Sequence, residues 1–191
     1  MESSFFSMIL RMKYINRWGL MRNTWQESLS QHSMDVAVIA HALAVICNRR
    51  LGGQVDADRA AVLGLFHDTS EIITGDMPTP AKYHNPEMRA AYRRVEAWAQ
   101  QDLLDKLPSD LRPDYEPLIF EKADPHLLQI VKAADKISAL IKCIEEEKAG
   151  NHEFIRAKQA QLTALQEMDL PEANIFLQEF TGSFEKTLDE L

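Results

Sequence analysis

Apolar residues recur at three- and four-residue intervals along almost the whole chain, and no stretch alternates apolar with polar over the length of a strand. That period is the one an α-helix needs to turn a continuous apolar stripe toward a core. Phe5, Met8, Ile9, Met12 and Ile15 mark a first helix over residues 5 to 16. Ser28-Leu-Ser-Gln31 has the spacing of a capping box and opens a helix that Gly52-Gly53 closes after Arg50. Asp56 or Asp58 caps the next helix, which carries His67, Asp68 and Glu71 before Gly75. Asp76-Met-Pro-Thr-Pro80 reads as a rigid connector, because each proline fixes its own φ and restricts the residue before it. Asn85-Pro86 and Asp124-Pro125 place proline at a first helical position and open helices ending near Leu107 and near Gly150-Asn151. Pro108, Pro113 and Pro117 punctuate the stretch between them, and helices over 152–168 and 171–188 complete an all-α bundle. The 191 residues show no linker and no repeat, so one domain over 1–191 is expected.

Net charge of -8 argues against a general nucleic-acid binder, whose backbone contacts need a basic surface. It leaves room for one small anion held locally, so a small substrate is favoured over a polymer. Cys47 and Cys143 sit inside apolar helical patterns and read as buried free thiols in a reducing cytosol. Glu2 stands where a signal peptide needs positive charge, and the near-apolar run from Val36 to Cys47, interrupted by His41, is too short for a bilayer needing about 20 residues. A cytoplasmic protein without a membrane partner is expected.

Chemistry concentrates in Ala61-Val-Leu-Gly-Leu-Phe-His-Asp-Thr-Ser-Glu71, where an apolar helix runs into adjacent imidazole and carboxylate groups. Such a pair is a ligand set for a divalent transition ion. His32, in Ser28-Leu-Ser-Gln-His-Ser33, and Asp135, between Ala133-Ala134 and Ile137, are further candidates. An ionised carboxylate on an apolar face is destabilising by several kcal/mol unless paired or metal-bound. One shared ion explains all four residues together. Glu71 follows His67 by four residues and Asp68 by three, so on one helix it faces the same way and is placed to orient or deprotonate a bound water. Taken alone, each of these residues has an ordinary reading as a cap, a packed histidine or an arginine partner.

The order His32, His67-Asp68, Asp135 on a helical scaffold resembles the HD-domain superfamily of metal-dependent phosphohydrolases. The flanks Ile15-Asn-Arg-Trp-Gly-Leu-Met-Arg-Asn23, Glu27-Ser-Leu-Ser-Gln-His-Ser33, the run from His67 to Tyr83, and Lys132-Ala-Ala-Asp135 are similar to the bacterial 5′-deoxynucleotidases of the YfbR type. That resemblance implies a homodimer that hydrolyses deoxyribonucleoside 5′-monophosphates with a divalent transition ion such as cobalt or manganese. His32, His67, Asp68 and Asp135 would hold the metal, with His32 and Asp68 also touching substrate, and Glu71, Asp68 and Arg17 would carry catalysis. Arg17 would align the phosphate, Trp18 would face the sugar, and Asp76 would accept a hydrogen bond from the 3′-hydroxyl. Met77, Pro78 and Thr79 would wall the nucleoside. Ordinary alternatives for these residues are a cation–π pair at Arg17-Trp18 and a plain turn at 76–80. For the protein as a whole they are a triphosphohydrolase or cyclic-nucleotide phosphodiesterase on the same scaffold, or a non-catalytic helical module that keeps a metal.

Overall fold

A computed structural model describes residues 2–82 and 84–191, without the side chain of Thr79. Among the described residues the backbone is helical, and its one isolated bridge joins Asn16 and Ser28 in antiparallel sense. The predicted caps form. Ser28 Oγ accepts the Gln31 N–H at 3.3 Å while Gln31 Oε1 accepts the Ser28 N–H at 2.8 Å, starting α2, Leu29–Arg50. Asp56 Oδ1 accepts the Arg59 N–H at the start of α3, Ala57–Phe66. Asn85 and Asp124 accept N–H groups from Met88 and Leu127 at the heads of helices Pro86–Asp105 and Pro125–Lys148. Gly52 has φ +73°, the left-handed conformation that stops α2.

Four expectations need correction. The first helix is only Phe5–Ile9 (α1), followed by a 3₁₀ turn over Leu10–Tyr14. A helix through Asn16 would have used internally the groups that instead bond across to 27–29: the Leu29 N–H donates to Ile15 O at 2.8 Å and the Arg17 N–H to Glu27 O at 2.9 Å. More consequentially, α3 stops at Phe66 and residues 67–70 form a turn before the short α4, Glu71–Thr74. The Thr69 hydroxyl and N–H both donate to the Phe66 carbonyl, a local alternative to the helical ladder. His67, Asp68 and Glu71 therefore do not share one helix face.

The supposed connector at 76–80 coils up as α5, Thr79–Lys82, after the Pro78 carbonyl accepts the Ala81 and Lys82 N–H groups. After Pro86–Asp105 (α6), the proline-rich stretch contains α7, Arg112–Ile119, with Pro113 in its first turn where no N–H is needed. Pro125–Lys148 is α8, and Ile155–Met168 is α9. The last α-helix, α10, covers only Pro171–Glu179, after which a 3₁₀ turn over Thr181–Glu185 takes over.

The chain groups into two compact units, the first made of the residues up to Leu20, Gln26–Ser33 and Phe66–Ala123, the second of Met21–Trp25, Met34–Leu65 and Asp124–Leu191. In the first, Phe5, Leu104, Leu107 and Ile119 form one buried cluster, with Tyr115 edge-on to Phe5 at 5.2 Å. Met12, Leu29 and Ile72 form another, which anchors the start of α2 to α4. In the second unit α8 buries Ile130, Ala133, Ala134, Ile137 and Leu140. Gly64 lets α3 approach α2 closely, since a Cβ there would stand 2.9 Å from Ala37 Cα. A buried ion pair, Lys142 with Glu146, ties down residues 22–25: Glu146 accepts from the Thr24 N–H and hydroxyl and from Asn151 Nδ2.

α2 is long and apolar enough by composition to cross a membrane, with a mean hydropathy of 1.3 over its best window. It contains His32, Asp35 and His41, and its apolar residues Val36, Ile39, Ala40, Leu43 and Ala44 are buried within the protein, as in a core helix. Cys47 and Cys143 are buried and free, as their setting predicts.

Candidate active site

The end of α3 and the start of α2 deliver two imidazoles to one carboxylate. His67 Nε2 lies 3.0 Å and His32 Nε2 3.6 Å from Asp68 Oδ2, and the two rings are 5.2 Å apart between centroids. His32 is fully buried, while the side chain of Asp68 remains 23 % exposed, so the group opens on its carboxylate side. Metal–ligand bonds of about 2.1 Å in tetrahedral or octahedral geometry put neighbouring donors about 3.0–3.4 Å apart. The donor set and spacing thus fit a divalent transition ion with nitrogen and oxygen ligands. Asp135 lies on α8 in the second unit, partly buried, flanked by fully buried Ala133, Ala134 and Ile137.

Arg17 brings positive charge to the same carboxylate, its Nη1 standing 3.6 Å from Asp68 Oδ2. It is itself held by Glu27, whose Oε2 accepts from Arg17 Nε at 3.3 Å and from the Trp18 indole Nε1 at 2.7 Å. The Trp18 backbone takes φ +61°, an unfavourable conformation for a bulky residue, and its N–H donates to Asp76 Oδ2 at 3.1 Å. The Arg17 guanidinium also lies 5.9 Å from the Trp18 ring centroid, so the ordinary cation–π reading of this pair is present as well. Met77 and Pro78 are partly buried in the segment between α4 and α5, and the side chain of Thr79 lies outside the described residues.

Glu71 is buried in the first turn of α4, and its Oε2 has no hydrogen-bond partner among the described residues. Burial, first, and then the charges of Asp68 and Asp76 push its carboxyl up to about 9, against the opposing pull of Arg17 and Lys82. A group so disposed holds a proton strongly and responds to any positive charge placed near it. His41, the other histidine of α2, is half exposed and 3.8 Å from Asp58, apart from this chemistry.

Glu27 is the residue that sequence reasoning passed over as a contributor. It is 2 % exposed, and its place just before α2 looks like an ordinary acidic residue at a helix start. Only the fold reveals that two adjacent side chains, Arg17 and Trp18, donate to the same oxygen.

Residues 4–184 match the family described as 5′-deoxynucleotidase YfbR-like. A 5′-deoxynucleotidase of Vibrio cholerae is 51 % identical over 191 residues, covering 100 % of this chain and 98 % of its own length. One from Klebsiella pneumoniae is 48 % identical, covering 100 % and 96 %. Among solved structures, an HD-domain phosphohydrolase from Listeria innocua superposes with a TM-score of 0.82 at 24 % identity, over 95 % of this chain and 88 % of its own. A cyanophage S-2L HD phosphohydrolase, bound to dA and one catalytic Zn²⁺, gives 0.68 at 19 % identity, over 95 % and 96 %. At these identities both structures speak to the fold alone.

Proposed function

The chain belongs to the YfbR-like 5′-deoxynucleotidase family, and on that premise we propose how its residues carry the family's reaction. It is a phosphoric monoester hydrolase that converts a deoxyribonucleoside 5′-monophosphate and water to the deoxynucleoside and phosphate. The observation that carries the assignment to this site is the convergence of His32, His67 and Arg17 on Asp68 Oδ2 within 3.6 Å.

His32, His67, Asp68 and Asp135 are the residues that would hold a divalent transition ion, cobalt or manganese being the candidates from the family resemblance, and the cyanophage neighbour holds zinc. Bound there, such an ion would polarise a phosphate oxygen and lower the pKa of a coordinated water. Arg17 binds the phosphate and offsets the charge that grows on its equatorial oxygens; its planar set of donors suits that task. His32 and Asp68 also border the phosphate. Glu71, or Asp68, orients the attacking water and, as a carboxylate, takes its proton as the new O–P bond forms and the bond to the 5′-oxygen breaks; that proton, or one from solvent, ends on the departing 5′-oxygen, giving the deoxynucleoside and phosphate. With no cation beside it Glu71 holds its own proton, its carboxyl pushed up to about 9 by burial and by Asp68 and Asp76, so it would serve as the base only once the charge of a bound ion brings it to the carboxylate form. Trp18 packs on the sugar and leaves no partner for a 2′-hydroxyl, Asp76 accepts from the 3′-hydroxyl, and Met77, Pro78 and Thr79 border the nucleoside.

The family match over 4–184 supports one functional domain. A homodimer fits the exposure of Val95 and Trp98 on α6, apolar surface that a second copy would cover, and sedimentation of the protein tests it. Buried free thiols and the packing of Val36, Ile39, Ala40, Leu43 and Ala44 of α2 inside the protein support a cytoplasmic enzyme, which fractionation of cells tests. The reaction is tested by metal-loaded protein with paired deoxy and ribo 5′-mono-, di- and triphosphates. Wild type should prefer the deoxy monophosphates, and Asp68→Asn should lose bound metal and turnover together. Equal efficiency toward both sugars, or an Asp68→Asn protein with full metal and full turnover, overturns the assignment.

A further inference from the structure

We infer that Glu27 is a positioning residue that couples phosphate alignment to sugar selection, fixing Arg17 and Trp18 through one buried carboxylate oxygen. This rests on the deoxynucleotidase reading of the site. Glu27 Oε2 accepts from Arg17 Nε and from Trp18 Nε1, and its backbone carbonyl accepts the Arg17 N–H at 2.9 Å. The carboxylate is thus bonded to two consecutive side chains that the reaction uses for different parts of the substrate.

Each residue has a reason to need such a restraint. Arg17 has a long flexible stem, and a guanidinium aligns a phosphate only when its plane is fixed. Bonding at Nε holds one edge of that plane, and Asp68 at 3.6 Å from Nη1 lies beside the other. Trp18 sits at φ +61°, a conformation that persists only when its surroundings impose it. Asp76 holds its backbone N–H and Glu27 its indole N–H, so both ends of the residue are tied to carboxylates. With the indole fixed, its face meets the sugar in a single orientation; released, it can turn and admit a 2′-hydroxyl.

The burial of Glu27 fits the same assignment. At 2 % exposure its charge needs compensation, and Arg17 supplies it. The pair is therefore mutually dependent: the guanidinium neutralises the carboxylate, and the carboxylate orients the guanidinium. Glu27 needs no contact with substrate or metal to exert this effect.

The experiment measures kcat and KM for a matched deoxy and ribo 5′-monophosphate with wild type, Glu27→Gln, Glu27→Ala and Trp18→Phe, each loaded with the same divalent ion. Glutamine retains an acceptor oxygen for both donors and should stay within about 5-fold of wild type, with sugar preference kept, because only the charge is lost. Alanine removes both bonds; KM for the deoxy substrate should rise on the order of 10-fold or more, and the deoxy-over-ribo ratio should fall at least several-fold. Trp18→Phe keeps a ring but no N–H donor, so it should lower the sugar ratio while sparing most of the phosphate alignment. In a Trp18→Phe background, Glu27→Ala should have little further effect on the ratio, whereas its effect on KM persists. Metal content should be unchanged in all five proteins. A Glu27→Ala enzyme with the wild-type sugar ratio overturns the inference, as does one whose only defect is a loss of metal and of all activity in equal proportion. A wild type without sugar preference is the failure of the deoxynucleotidase reading itself, and it appears in the same data before any variant is compared.

Discussion

Replacing Lys142 by methionine should destabilise the protein severely without touching the residues proposed for catalysis. Lys142 and Glu146 are four residues apart on α8, with side chains 1 % and 0 % exposed. The ammonium also donates to Trp25 O at 2.8 Å and sits 3.8 Å from the centre of the Trp25 ring. Methionine has a similar length and fills the space, so little of the loss comes from a cavity. What remains is an uncompensated buried carboxylate, whose creation is destabilising by about 3–5 kcal/mol. For a chain of this size that corresponds to a fall in Tm of about 6–20 °C.

The pH dependence separates this mechanism from simple packing loss. Burial alone would raise the Glu146 carboxyl, but hydrogen bonds from Lys142, Asn151 and Thr24 outweigh it and hold it down at about 2. A depressed carboxyl contributes stability that is fully present above its unfolded value near 4.5 and is lost as pH falls from there toward 2. A shift of that size amounts to about 3 kcal/mol. Urea melts of wild type between pH 6 and 3 should therefore show a steep acid loss, and Lys142→Met should start lower and lose much less. A variant within about 1 kcal/mol of wild type at pH 7, or one with an undiminished acid slope, refutes the buried-pair account.

Three further outcomes follow from two other residues. Glu71→Gln should lower turnover by about 10² to 10⁴ with metal stoichiometry retained, and loss of the metal instead would make Glu71 a ligand or a ligand's direct support. Because its folded carboxyl is raised to about 9, the metal-free wild type loses stability as pH climbs from about 4.5 toward 9; the glutamine variant should melt higher at pH 8, and an unchanged melting point contradicts the high proton affinity. Gly64→Ala should destabilise by about 1–3 kcal/mol, since its Cβ meets the Ala37 backbone at 2.9 Å and backbone cannot swing aside; an unaltered urea midpoint would mean that α2 and α3 separate at no expense.

The sequence alone determined the all-α class, most helix starts and the residues with chemistry to offer. These are local properties: a capping side chain bonds three residues away, as Ser28, Asn85 and Asp124 do, and the apolar period shows which segments must coil. His32, His67, Asp68 and Glu71 stood out as candidates because ionisable groups in apolar stretches are expensive without a purpose, and the likeness to a known family suggested roles for Arg17, Trp18 and Asp76. Helix ends were less legible, because they depend on partners far along the chain: the first helix stops where 15–17 pairs with 27–29. The break at 67–70 was missed although its cause is local, since a threonine hydroxyl competing for one carbonyl is too weak a signal against a strong apolar period. Only the tertiary structure decided that Trp18 is held in a left-handed conformation between Asp76 and Glu27, and that one oxygen of Glu27 serves both Arg17 and Trp18. Distances across fifty-eight residues of chain, as between Trp18 and Asp76, are set by packing, and no periodicity in the sequence encodes them.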